Sequence, residues 1–268
     1  MGLLFQINPN MKKRLMPLLI IILCIVTGCA QKVKTNTSIF DEDKLLERVK
    51  TLSFDTYQGR ATGSAGGKLA RNYIIKTFKA LRVQPFKNYK NSFDFNRKED
   101  TLTGTNILAL VTGTKYKDKY IVISAHYDHL GIGKNGHIYN GADDNASGVS
   151  ALFAFAEYLK KNPPKHSVIL AAFDAEELGL QGAKHFVNTI DKEKVLVNLN
   201  MDMISRSAKN ELYVVGGRYN EALKSIINNF KNPTSIKLLQ GHDGTDGKQN
   251  WTMSSDHGPF HSAKIPFL

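Results

Sequence analysis

The stretch NGADDNASG, residues 140–148, sets two adjacent carboxylates, Asp143 and Asp144, between two glycines and just ahead of an apolar run. Other ionisable residues fall at comparable places: His126 and Asp128 follow YIVISA, Glu176 and Glu177 follow VILAAF, Asp202 follows VLVNLN, and His257 lies in SSDHGPF. Taken singly, each has an ordinary structural role. An Asp before a helix caps it, a Glu pair in a first turn answers the helix dipole, and a lone His is a satisfied loop residue. Together, the imidazoles and carboxylates form a donor set suited to a borderline divalent ion such as zinc, with Co2+ or Mn2+ also compatible. A shared carboxylate in such a set suits two ions about 3.5–4 Å apart.

Residues this far apart in sequence converge only if the elements carrying them end at one place. From residue 106 the apolar segments alternate in type. TNILALVTG and KYIVISAHYD read as strands, SGVSALFAFAEYLKK as a helix stopped by Pro163 and Pro164, HSVILAAFDAEE as a strand, LQGAKHFVN as a helix and KVLVNLNMDM as a strand. This order predicts an α/β fold of three layers, α/β/α, whose central sheet is mixed, largely parallel, and covered by helices on both faces. In open sheets of this kind ligands bind beyond the carboxyl ends of the strands, and three such ends here carry imidazole or carboxylate groups. Period-two alternation places His126 and Asp128 on one side and Tyr127 on the other, so Asp128 can accept a hydrogen bond from the imidazole and fix its orientation.

Upstream, DEDKLLERVKTL and AGGKLARNYIIKTFKAL have helical spacing. The glycines of GSAGGK do not make a phosphate loop: Thr62 stands where the first glycine of that motif belongs, and Leu69 where Ser or Thr should follow the lysine.

A chain of 268 residues with 42% hydrophobic and 22% charged residues fits one sizeable globular domain, expected over 41–268. The formal charge of +12 raises the question of nucleic acid, but removing Lys12, Lys13 and Arg14 leaves +9. The remaining lysines are scattered rather than interleaved with aromatics, so no nucleic-acid partner is expected. MKKR at 11–14 followed by LMPLLIIILCIVTGC predicts a signal peptide over 1–28. VTGC resembles a bacterial lipobox, which makes Cys29 the lipidated first residue of the mature chain, with a linker over 29–40. The expected location is the bacterial cell envelope, lipid-anchored and outside the cytoplasmic membrane. Cys24 is the only other cysteine and lies in the leader, so no disulfide is expected.

The ordered series SAHYDHLG, NGADDNASG, FDAEELGLQGA, NLNMDMIS and SSDHGPF resembles metallopeptidase family twenty-eight, the co-catalytic dizinc aminopeptidases related to bacterial leucyl aminopeptidase, aminopeptidase Y and glutamate carboxypeptidase II. The resemblance implies a two-zinc exopeptidase acting on peptides with a free amino terminus. It implies that Asp144 bridges both ions, that His126 and Asp202 complete one site and Glu177 and His257 the other, and that Glu176 is the general base. It leaves Asp143 without a role. Members of the family usually continue past a strand like KIPFL, so the resemblance also implies a domain truncated at its C-terminus. Three alternatives keep the same fold: a glutaminyl cyclase-like enzyme with one zinc, a carboxypeptidase-type member with a basic pocket, and a non-catalytic binding relative.

The anchoring expectation has a direct check. Cys29→Ser should release the mature protein from membranes in a fractionation experiment; unchanged membrane association with unchanged processing would indicate an uncleaved anchor instead.

Overall fold

Five strands form the central sheet: β1 (Gln84–Arg97), β2 (Asp100–Val111), β3 (Tyr116–His126), β4 (His166–Phe173) and β5 (Val195–Asn200), in the order β1-β2-β4-β3-β5. The chain is seen in a computed structural model that describes residues 39–268; the expected leader, Cys29 and most of the linker lie outside the described residues. Strands β4, β3 and β5 run parallel, whereas β2 is antiparallel to both of its neighbours. The sheet is therefore mixed, with its parallel half where the predicted site residues lie. Helices α1 (Glu42–Leu52), α2 (Ala65–Ala80), α3 (Gly148–Lys161) and α4 (Gln181–Thr189) flank it. After β5 come β6 (Glu211–Val214), α5 (Glu221–Asn229), β7 (Lys237–Gln240) and the short α6 (His257–Ser262).

The alternation of side chains along a strand builds the two cores. On β4, Val168, Leu170 and Ala172 pack with Ile74 and Phe78 of α2 and with Leu152 and Phe153 of α3. Ile169, Ala171 and Phe173 face the other way, onto Ala183 and Phe186 of α4 and Phe260 of α6. A strand buried on both faces reads as a continuous apolar run, which is what HSVILAAF is. The first two helices begin where the sequence places capping oxygens. Asp41 accepts from the Lys44 amide at 3.1 Å, and Ser64 accepts from the Gly67 amide at 3.0 Å. GSAGGK is thus a helix entry. Among the described residues, no helix is long and apolar enough to cross a membrane.

Two parts were not foreseen. β1 is an exposed edge strand with a Pro near its start and lysines along it, features that blunt an edge and also weaken its strand signal. β6 and β7 form a separate two-stranded parallel sheet, each only four residues long.

Parallel pairing sets His126 opposite Phe173 and Ser124 opposite Asn200, so β3, β4 and β5 deliver their following loops side by side. The long loop after β3 is tied to the end of the first helix by Arg60, which is 1% exposed. Its Nε donates to the Tyr127 carbonyl (2.8 Å), Nη1 to those of Leu52 (2.8 Å) and Asn140 (2.7 Å), and Nη2 to those of Gly141 (2.8 Å) and Asp144 (3.3 Å). Burial lowers its pKa to about 10, and the charges of Asp128, Asp144 and Glu177 oppose that shift, so the guanidinium stays protonated at neutral pH. A rigid planar fork fits this arrangement and an ammonium does not. Arg60→Lys should therefore cost roughly 3 kcal/mol or more in denaturant unfolding, because each buried carbonyl left without a donor costs about 1–3 kcal/mol. A loss below about 1 kcal/mol, less than one such carbonyl, would show that this residue does not hold the loop.

Candidate metal centre

The glycines around Asp143 and Asp144 have steric causes. Gly141 has φ 57° and lies so close to the Asp144 carbonyl, to Arg60 and to the His129 ring that a Cβ has no room. A Cβ at Gly148, the first residue of α3, would come within 2.5 Å of the Met201 carbonyl oxygen and 2.6 Å of Asn145 Oδ1. The segment between them then fastens the loop after β5. Asp143 Oδ1 accepts from the Ser205 amide (3.0 Å) and hydroxyl (2.7 Å), and Asn145 Nδ2 donates to the Met201 carbonyl (2.9 Å). The two acids divide the work: Asp143 holds a neighbouring loop while Asp144 faces the cluster.

Asp144 offers one carboxylate oxygen to each of two groups. Its Oδ1 is 3.2 Å from His126 Nε2, which is 3.3 Å from Asp202 Oδ1. Its Oδ2 is 3.6 Å from His129 Nδ1, which is 2.8 Å from Glu177 Oε1. Donor atoms of His126, Glu176 and Asp202 lie within 4.8 Å of one another, and so do those of His129, Asp144 and Glu177. Ligands about 2.0–2.1 Å from a tetrahedral ion stand about 3.3 Å apart, and these separations bracket that value. The donor types and their spacing fit zinc.

The predicted residues do not all gather there. His257 belongs to neither group: its Nε2 is 2.9 Å from the Trp251 carbonyl oxygen and its ring stacks on Phe267. Asp128 orients His126 through its backbone, since His126 Nδ1 is 3.1 Å from the Asp128 carbonyl oxygen and 3.7 Å from its carboxylate. The Asp128 carboxylate instead accepts the amide N–H groups of Glu176 (3.1 Å) and Glu177 (3.3 Å), fixing the turn that carries both. Next to that turn Ala175 has φ 57°, and Met203, after Asp202, has φ 54°. Both are left-handed conformations unusual for residues with a Cβ.

Burial and like charge shape the electrostatics. Burial raises Glu176 to about 7, opposed by His126 and reinforced by Asp202, Asp128 and Glu177. For His126, burial disfavours the charged ring, but the neighbouring carboxylates of Asp128, Asp144 and Asp202 prevail and raise it well above its usual range. Burial likewise opposes ionisation of Asp202, and the His126 contact nevertheless holds it below the carboxylate range.

Three residues here escaped the sequence reading. His129 stands three positions beyond His126, past the strand, where alternation no longer indicates direction. Asp174 directly precedes the Glu turn; its carboxylate accepts from Tyr127 (2.7 Å), Thr62 (2.8 Å) and the amides of Thr105 (2.8 Å) and Ala175 (2.9 Å), and burial lifts it to about 6. Asp256 is fully buried, and neither of its carboxylate oxygens has a hydrogen-bond partner among the described residues. Burial pushes it well above the usual range.

Known proteins share this arrangement at the level of fold and family. Aminopeptidase YwaD of Bacillus subtilis is 34% identical over 171 residues, covering 61% of this chain and 34% of that protein. The chain thus spans about a third of that relative's length. A Zn-dependent exopeptidase from Parabacteroides distasonis superposes with a TM-score of 0.67 at 16% identity, covering 85% of this chain and 83% of the other. Porphyromonas gingivalis glutaminyl cyclase also gives 0.67, at 17% identity over 86% of this chain and 83% of the other, so the fold alone does not separate peptidase from cyclase. The sequence model of peptidase family M28 matches residues 106–268, every strand from β3 to β7 and both groups of donors included. This chain belongs to peptidase family M28.

Proposed function

We propose that the protein is a zinc-dependent exopeptidase, most specifically an aminopeptidase that removes N-terminal residues from peptides with two ions at one centre. The observation that carries the reading is the Asp144 carboxylate, whose two oxygens face two different donor groups. A single-ion cyclase has no need of a carboxylate divided in this way. His126, Asp202 and Asp144 would hold one ion, and Asp144 and Glu177 would contribute to the other. Zinc so held lowers the pKa of a water and polarises a peptide carbonyl.

The chain's own residues supply the rest. Glu176 stands in the group with His126 and Asp202 and, as general base, takes the proton of the attacking water while the water oxygen bonds to the carbonyl carbon. It passes that proton to the amine as the carbon–nitrogen bond breaks. Asp128 holds the Glu176 and Glu177 amides so that adjacent side chains on one turn serve different ends, one proton transfer and the other ligation. The expected lipidated Cys29 would place this activity in the bacterial envelope, where peptides are the substrates proposed.

The reading is tested with aminoacyl and dipeptide substrates, against the same peptides N-acetylated, before and after chelation. Hydrolysis should require the free amine, vanish with chelator and return with zinc. Cyclisation of N-terminal glutamine with one zinc per chain would overturn it. Glu176→Gln should keep its metal and lose roughly 10²–10⁴ in kcat, whereas Glu177→Gln should weaken zinc binding. Metal loss in the first variant and retention in the second would reverse the two roles.

A further inference from the structure

We propose that Thr62 is a positioning residue for Glu176, acting through the two buried carboxylates that hold the turn on which Glu176 stands; the proposal rests on the reading of Glu176 as general base. That turn leaves β4 at Phe173 and enters α4 at Gln181. Three successive amides in it point at carboxylates. The Ala175 N–H meets Asp174 Oδ1 at 2.9 Å, the Glu176 N–H meets Asp128 Oδ1 at 3.1 Å, and the Glu177 N–H meets Asp128 Oδ2 at 3.3 Å. Ala175 has φ 57°, a conformation that a residue with a Cβ keeps only where its surroundings impose it. The direction of the Glu176 side chain is therefore set by where Asp128 and Asp174 stand.

The Thr62 hydroxyl lies between those two carboxylates, 2.8 Å from Asp174 Oδ1 and 3.3 Å from Asp128 Oδ2. Among the described residues no other side chain hydrogen-bonds to both. Two buried carboxylates repel one another, and a hydroxyl proton placed between them is attracted by each. Tyr127 (2.7 Å) and the Thr105 amide (2.8 Å) fix the other oxygen of Asp174, which leaves Thr62 as the tie to Asp128. Starting a helix does not account for the hydroxyl, because Ser64 supplies the oxygen that accepts the Gly67 amide at the head of α2. Thr62 lies ahead of the matched residues 106–268 and reaches 112 positions along the chain to Asp174. The matched region thus receives from its N-terminal segment one link in the frame of its own base. Valine has the shape of threonine without the hydroxyl, so Thr62→Val sets a methyl group against two buried carboxylates and lets the turn relax. A displacement of about 1 Å in a reacting group is enough to cost roughly 100-fold in rate.

The experiment uses the full zinc-loaded chain. It combines steady-state kinetics on an aminoacyl substrate, zinc counted by elemental analysis, and amide hydrogen exchange followed by mass spectrometry over residues 174–181. Thr62→Val should keep its zinc, hold KM within about threefold and lose roughly 10–100-fold in kcat. Its turn amides should exchange at least about tenfold faster than those of the wild-type chain. Thr62→Ser, which returns the hydroxyl, should restore both kcat and protection. Ser64→Ala, which removes the neighbouring cap, should lower stability and leave kcat unchanged. Thr62→Ala repeats the measurement if the valine variant is unstable. An unchanged kcat without the hydroxyl, a serine variant as impaired as the valine one, an equal loss of kcat in Ser64→Ala, or zinc lost in step with rate would each overturn the proposal. A wild-type chain with no chelator-sensitive hydrolysis overturns the peptidase reading itself, a result distinct from failure of the Thr62 assignment, which the exchange comparison decides by itself.

Discussion

Like charges gathered at one sheet edge repel, and burial makes each carboxylate costlier to ionise. Asp128, Asp174, Asp144, Glu176, Glu177 and Asp202 converge at the carboxyl ends of β3, β4 and β5, and the surrounding structure is organised around that cost. Five of these acids fall into two kinds by their partners. Asp128 and Asp174 are saturated by amides and hydroxyls, which stabilise a carboxylate without neutralising it. Asp144, Asp202 and Glu177 face imidazoles and keep lone pairs for something more positive. The first kind builds the frame and the second waits on a cation. Arg60, the one buried guanidinium among these loops, supplies positive charge at a distance and donates only to carbonyls, so it does not consume a carboxylate that an ion would need.

How much of this could be read from the sequence depended on periodicity. His126, Glu176, Glu177 and Asp202 were legible because each follows an apolar strand, and parallel register puts strand ends together whatever lies between them. The three layers were legible for the same reason, since HSVILAAF and its neighbours are apolar on both faces. Beyond the last paired residue the pattern stops. Asp128 was expected to act through its carboxylate and acts on His126 through its carbonyl, a choice made by the turn and not by alternation. His129 and His257 look alike as letters; only the packing of one ring on Phe267 and the approach of the other to Glu177 separate them. Arg60 is the extreme case, because nothing in QGRATGS distinguishes a guanidinium buried under five carbonyls from one in water.

The region after β5 shows what weak patterning costs a reader. β6 and β7 are four residues each and only partly buried, too short for an alternation to declare itself. β1 is long but mostly exposed, with only Phe93 buried and no sustained apolar alternation, as an edge strand beside solvent is allowed to be. Neither carries a residue of the donor groups, so the parts hardest to foresee are also those least involved in the chemistry.

The Arg60 contacts reach from residue 52 to residue 144, and that span has a kinetic meaning. Only the Leu52 carbonyl is local; the other four acceptors come from the loop after β3, so most of the guanidinium's partners arrive from far along the chain. Contacts of such long sequence separation form slowly, since loop closure must precede any gain. A ligand that binds only the finished site acts on the whole native state. At a concentration one hundred times its dissociation constant such a ligand adds about 2.7 kcal/mol to the folding equilibrium. Metal supply therefore bears on the stability of the folded chain, and resistance to proteolysis would follow the ion content of the medium.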